Sequence, residues 1–131
     1  MGWMTRIAVS AAALAVAGCV ATPSPQGAQA QFEGFTEDLA LARLIDERCP
    51  SIRLRYSQDQ LITAYRQQML AAGYNQSDLF QALFRSSPDA VAVSALQRLR
   101  ASGVQPGNAP QLCAYGLAEM AAGTRTGSFL R

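Results

Sequence analysis

Lysine and histidine are both missing from the sequence, so all 11 basic residues are arginine. Without histidine there is no Ser-His or Cys-His pair for nucleophilic catalysis and no imidazole to bind a metal. Without lysine there is no Schiff base and no ammonium group to cradle a phosphate. The chain also lacks a glycine-rich phosphate loop, a nucleophile elbow and an acidic calcium loop. We therefore expect no catalytic residue, no metal site and no cofactor.

Charge is scarce as well, at 15% of 131 residues, with a formal net charge of +2. A dedicated nucleic-acid surface needs a dense basic patch, so nucleic acid is excluded as the expected partner. A chain of this length is expected to form a single domain.

The first 18 residues have the pattern of an export signal. Arg6 supplies a positive charge, and the apolar run from Ile7 to Ala17 is too short to span a bilayer. The run ends in Val16-Ala17-Gly18-Cys19, which resembles the lipobox of bacterial lipoproteins. That resemblance implies cleavage before Cys19 and attachment of lipid to its thiol, so that the protein is anchored to a membrane and faces the periplasm.

Two alternatives for this segment remain open. Cleavage after Ala30, which follows the small residue Ala28 at the usual spacing, would release a soluble periplasmic protein. A retained membrane helix is the other alternative. Val20 stands where aspartate would favour the inner membrane, so lipoprotein sorting favours the outer membrane. Residues 22–31 are rich in Pro, Gly, Gln and Ala, which predicts a flexible tether over 19–35 before a domain at 36–131.

Two cysteines remain after either cleavage, and an even pair in an oxidising compartment predicts a disulfide. The predicted Cys49–Cys113 bond would close a loop of about 65 residues. The lost entropy of the unfolded chain would then stabilise the protein by roughly 4 kcal/mol. The alternative is two buried free thiols.

The remaining sequence has the spacing of helices rather than of strands, with apolar residues three and four positions apart. Thr36, Ser57, Asn75 and Ser87 are candidate N-caps, and Gly73 is a natural helix stop. The pattern predicts an all-α bundle of about five short helices stapled by the disulfide, at about 37–48, 58–72, 76–85, 88–102 and 110–122.

Three blocks resemble a known family of small exported proteins from Rhodobacter-like alphaproteobacteria, the domain-of-unknown-function family 5333. The blocks are Glu47-Arg48-Cys49-Pro50-Ser51-Ile52, Ala72-Gly73-Tyr74, and Cys113 to Met120 with the ending Gly127-Ser128-Phe129-Leu130-Arg131. The resemblance covers about residues 36–131. It implies an exported helical protein with the paired cysteines, and it implies no activity.

The segment 51–56 alternates arginines with apolar residues, which predicts a short extended stretch. Arg53, Arg55 and Tyr56, together with Phe129 of the tail, are candidate docking residues because arginine and aromatic residues often anchor interfaces. The disulfide would hold the two segments near each other. The alternative is that the tail folds onto the core and the arginines stay in water.

These features favour a non-enzymatic envelope lipoprotein that acts through protein contacts, as an accessory or assembly subunit of a larger membrane complex. The expected partners are the membrane, through the lipid anchor, and an envelope protein. The alternative function is a periplasmic binding or chaperone-like helical module, since small acid-stress chaperones of the periplasm also hold one disulfide across a helical core.

Overall fold

A computed structural model describes residues 23–131, and this part of the chain is all-helical. Its helices are α1 (Pro25–Arg48), α2 (Gln58–Ala71), α3 (Gln76–Arg85), α4 (Pro88–Ala101), α5 (Ala109–Ala122) and the short α6 (Arg125–Ser128). Residues 23–131 contain no strand; an isolated antiparallel bridge pairs Leu54 with Leu130. The predicted fold class is thus confirmed. The predicted signal peptide and Cys19 lie outside the described residues.

The first helix begins at Pro25 rather than at the expected Glu37. Ser24 is its N-cap, because the Ser24 hydroxyl accepts a hydrogen bond from the Gly27 backbone N–H at 3.0 Å. The expected flexible tether is therefore wrong for residues 25–35, which are helical. The predicted cap Thr36 lies inside the helix and donates its hydroxyl to the Phe32 carbonyl at 3.0 Å.

Burial explains why these early turns are helical in spite of their composition. Ala28 is fully buried and Phe35 is 2% exposed. A short helix gains most of its stability from packing rather than from propensity. The contacts that hold residues 25–35 come from distant parts of the chain, so a local sequence pattern does not reveal them.

The long α1 is the centre of the fold, since α3, α4, α5 and α6 all pack against it. The fully buried Leu41 and Ile45 lie on α1, and Leu99 of α4 and Leu112 of α5 join them in the core. With 24 residues, α1 is about 36 Å long, so several other helices can pack against it.

The disulfide between Cys49 and Cys113 is present, as predicted, with the two Cα atoms 5.5 Å apart. It joins the C-terminal end of α1 to the first turn of α5. Close packing of these helices continues at Gly116, where a Cβ atom would lie only 2.8 Å from Cγ2 of Ile45. The disulfide and this close packing together hold the first and fifth helices against each other.

The boundaries of the middle helices follow the predicted local signals. Ser57 and Gln60 form a reciprocal capping box at the start of α2. Gly73 has a φ of 95°, and the Tyr74 N–H donates to the Met69 carbonyl at 3.1 Å, which completes a Schellman motif. The helix α3 runs over residues 76–85 as expected.

The C-terminal tail folds onto the core. Leu130 is fully buried and Phe129 is 8% exposed, with its ring 5.9 Å from that of Phe35. The backbone N–H groups of Arg53 and Arg131 donate to each other's carbonyl oxygens at 2.9 and 2.8 Å. The tail is thus an integral part of the domain.

Candidate functional site

An apolar groove of about 570 Å³ lies between α1, α2, α3 and the start of α4. The floor is one face of α1, on which Phe32, Phe35, Leu39 and Arg43 follow one another at helical spacing. The helix α2 contacts this floor through Tyr65, whose ring stacks on that of Phe35 with the ring centroids 4.2 Å apart. The groove is open to solvent, since Ile62 on the α2 wall and Phe80 on the α3 wall are 38% and 59% exposed.

The α3 wall carries large apolar side chains that remain in water. Phe80 is 59% exposed, Leu83 is 55% exposed, and Phe84, which packs edge-on against Phe80 at 4.5 Å, is 72% exposed. The sequence spacing puts these three side chains with Leu79 on the apolar side of α3, and most of that side is exposed. The helix packs on the core through Leu79 and the small Ala82 instead, which turns the larger side chains outward.

The charged side chains that line the groove are Arg43 on the floor and Arg66 on the α2 wall, and no acidic residue of the described part of the chain lines it. Arg43 has an ion pair with Glu47, but the distance is 3.9 Å and both side chains are at least half exposed. Such a surface pair is weak. The groove is therefore apolar with a positive rim.

Sequence reasoning missed this groove, although one signal for it was present. The ten-residue α3 carries Leu79, Phe80, Leu83 and Phe84 together, more apolar surface than one neighbouring helix covers. Surplus apolar surface on a short helix indicates either a second neighbour or an exposed binding face.

A buried ionic cluster lies on another face of α1, around Asp38. The Asp38 carboxylate is 9% exposed and accepts hydrogen bonds from Arg98 (2.5 Å), Arg125 (2.5 Å) and the Thr126 hydroxyl (3.0 Å). Burial opposes ionisation of this carboxyl, but the bonds from Arg125, Arg98 and Thr126 outweigh it and lower the pKa of Asp38 below 3.8. Because both oxygens are occupied, the cluster joins α1, α4 and α6 and leaves no free acid or base.

Glu119 belongs to the same cluster. Its side chain is only 16% exposed and lies 3.8 Å from Arg98. It also accepts a hydrogen bond from the Thr124 hydroxyl at 2.5 Å. Glu119 therefore holds the end of α5 to α4 instead of facing water.

The four candidate docking residues lie near one another, but most of them contribute to the stability of the fold and do not form a free surface. Arg53 donates to the Asp46 carbonyl at 3.0 Å, and Arg55 donates to the Leu130 carbonyl at 3.2 Å. Phe129 is in the core, so the expectation that it docks a partner is corrected. Tyr56 differs from the other three candidates. In the described structure its side chain is neither buried in the core nor hydrogen-bonded to a backbone carbonyl, and it is 53% exposed.

Within residues 23–131 there is no group of three or more Cys, Asp or Glu side chains arranged to hold a metal ion. None of the helices in this range is both long enough and apolar enough to cross a membrane.

Comparison with known proteins identifies a match to a family of unknown function, DUF5333, over residues 28–131. The chain belongs to the DUF5333 family. The matched region contains the groove, the Asp38 cluster and both disulfide cysteines of this DUF5333 protein. No curated protein and no solved structure matches the chain.

Proposed function

We propose that this DUF5333 protein is a non-enzymatic protein of the cell envelope that binds a partner protein in the groove between α1, α2 and α3. In this role it is an accessory or assembly subunit of a larger membrane complex. The observation that carries the proposal is the open apolar groove with Phe80, Leu83 and Phe84 exposed beside it. Contiguous exposed apolar surface of this kind marks interaction sites.

The energetics support protein binding at this place. Covering a Leu or Phe side chain fully is worth about 1.5–3 kcal/mol, and at least three such side chains are more than half exposed on α3. Aromatic side chains in a pocket rimmed by arginine are typical of the residues that dominate interfaces. Because α3 packs against α1, this wall of the groove is held in place and loses little entropy on binding.

The envelope location rests on the Val16-Ala17-Gly18-Cys19 pattern and on the Cys49–Cys113 disulfide, which persists in oxidising compartments. Mass spectrometry of the membrane fraction tests the anchor. The proposal expects an acylated N-terminus at Cys19, whereas a soluble form that begins at Gln31 would show the alternative cleavage.

The binding role is tested by crosslinking and pull-down of the tagged protein with two matched variants. Leu83→Glu places a charge on the groove wall, and Leu117→Glu places one at an equally exposed site on α5, away from the groove (55% and 56% exposed). Both variants should keep the melting temperature. The proposal expects loss of the partner with Leu83→Glu only; equal recovery with both variants would contradict it.

A chaperone-like binding module is the second candidate, favoured by the same exposed apolar groove. A chaperone would recover many unrelated unfolded chains, whereas an accessory subunit recovers one reproducible partner. The pull-down therefore separates the two, and suppression of aggregation of a denatured test protein by the wild type but not by Leu83→Glu would select the chaperone.

A further inference from the structure

We infer that the occupant of the groove is an acidic amphipathic helix of the partner protein. This inference rests on the proposed function and names the partner element. It follows from the juxtaposition of a helical floor, exposed apolar walls and two arginines in one groove.

The shape of the floor fits a helix. The lining side chains of α1 extend from Phe32 to Arg43, which at 1.5 Å per residue is a floor of about 16 Å, or three helical turns. Side chains spaced three and four apart on one helix form ridges and grooves into which the side chains of a second helix pack. A partner helix with apolar residues at i, i+3, i+4 and i+7 matches this surface.

The width of the apolar surface also favours a helix over a thin ligand. Besides the floor, Ile62 on one wall and Phe80 and Leu83 on the other are 38%, 59% and 55% exposed. A single alkyl chain on the floor would leave both walls in water. A helix with its side chains is about 10–12 Å across, so it presents apolar side chains over a much wider surface than an alkyl chain does.

The positive charge of the groove favours a partner helix that carries negative charge. Arg43 and Arg66 come from two different helices and line the same groove, and no acidic side chain of residues 23–131 lines it with them. Glu47, the exposed partner of Arg43 at 3.9 Å, lies outside the groove, and such a surface pair is weak. An approaching basic helix would be repelled, whereas glutamate or aspartate at the flank of an acidic helix would pair with the arginines. The arrangement therefore discriminates between helices of equal hydrophobicity.

The test uses the mature protein in zwitterionic nanodiscs and two fluorescein-labelled peptides of 18 residues. Both peptides carry the same leucine face at i, i+3, i+4 and i+7; one has glutamate at the flanking positions and the other has lysine. Fluorescence anisotropy should show at least tenfold tighter binding of the glutamate peptide, with empty nanodiscs as the blank. Equal binding of the two peptides would overturn the inference.

Two sets of variants make the result specific. Arg43→Glu combined with Arg66→Glu should reverse the preference, so that the lysine peptide binds more tightly. Arg48→Glu combined with Arg100→Glu, which makes the same charge change at exposed sites outside the groove, should leave the preference as in the wild type. A preference that survives the first pair, or that is lost with the second, would contradict the role of the two groove arginines.

Two other occupants are outcomes of the same series. Binding of sodium dodecanoate that depends on Arg43 and Arg66, with no binding of either peptide, would identify an anionic acyl chain and overturn the helix. A dimer in sedimentation that Leu83→Glu dissociates would identify a second copy of the chain instead. In both cases the pull-down with Leu83→Glu and Leu117→Glu still decides the proposed function separately.

Discussion

Asp38 and Arg125 are 87 positions apart in the sequence, yet the Arg125 Nε donates to the Asp38 Oδ2 at 2.5 Å. This bond ties the C-terminal tail to the middle of α1, where Asp38 is followed directly by the groove residue Leu39. Arg98 of α4 occupies the other carboxylate oxygen, so one side chain fixes three elements. The rigidity of the groove floor depends on this cluster as well as on the disulfide.

Replacement of Asp38 should therefore destabilise the whole domain. Asp38→Asn removes the charged partner of Arg125 and the nearest acidic partner of Arg98, which keeps Glu37 and Glu119, and both arginines are partly exposed (40% and 36%). We expect a loss of about 2–3 kcal/mol in unfolding free energy, below the 3–5 kcal/mol of a fully buried pair because water screens the arginines. Urea denaturation measures it, with the exposed Glu47→Gln as control.

The same cluster should make stability depend on acid. The folded-state pKa of Asp38 is below its ordinary value of 3.8, so its contribution is complete above pH 3.8 and is lost as the pH falls through the folded value. We expect the melting temperature of the wild type to fall more steeply below about pH 4 than that of Asp38→Asn. Parallel curves for the two proteins would show that other carboxylates control acid unfolding.

Removal of the Tyr65 hydroxyl should stabilise the protein. Its hydroxyl is buried and has no hydrogen-bond partner among the described residues. Tyr65→Phe keeps the ring stacked on Phe35 and removes an unsatisfied polar atom, so we expect a gain of about 1 kcal/mol. A decrease in stability, measured by urea denaturation, would show that the hydroxyl has a partner.

Alkaline titration gives an independent readout of the same residue. Burial raises the pKa of Tyr65 from 10.0 to about 12. A raised pKa means that the folded protein keeps the phenol proton at a pH at which the unfolded chain has lost it, so the free energy of unfolding decreases as the pH rises from 10 towards 12. Tyr65→Phe should lose less stability over that range than the wild type.

Gly127 should tolerate no side chain. A Cβ atom at this position would overlap the backbone carbonyl of Glu119, and backbone atoms have no rotamer by which to move away. We expect Gly127→Ala to cost about 3 kcal/mol or to prevent folding, as overpacking at a rigid contact does. Gly107→Ala is the matched control, because a Cβ atom there meets nothing within 4 Å. Equal melting temperatures for the two variants would refute the close approach.

Loss of the disulfide should cost roughly 4 kcal/mol, because the unfolded chain regains the entropy of a loop with a sequence separation of 64. The double variant Cys49→Ala with Cys113→Ala avoids a leftover thiol, and its melting temperature should fall to that of the reduced wild type. Reductant should have no further effect on the variant. A wild type that is insensitive to reductant would contradict the prediction.

Local signals were sufficient for the middle of the chain. The capping pair Ser57 and Gln60 and the stop at Gly73 act within four residues of the backbone groups that they satisfy, so α2 begins and ends where the pattern predicts. The start of α1 also has a local signal, the N-cap Ser24 with Pro25 at the first helical position, and the predicted tether overlooked it. Residues 25–35 have a loop-like composition, and they become helical because Ala28 and Phe35 are buried by distant segments.

By itself, the sequence predicted the helical class and most of the helix ends, because these depend on neighbours along the chain. It also predicted the Cys49–Cys113 pairing, because these are the two of its three cysteines that follow the N-terminal apolar segment. Only the tertiary structure decided which apolar faces are covered. The pattern in α3 is the same whether Phe80 and Leu83 lie in the core or beside a groove, since periodicity identifies a face and not what lies against it. Whether these side chains are covered depends on the positions of α2 and α4 around α1. Contacts between residues far apart in the sequence, such as those of Asp38 with Arg98 and Arg125, set positions of this kind.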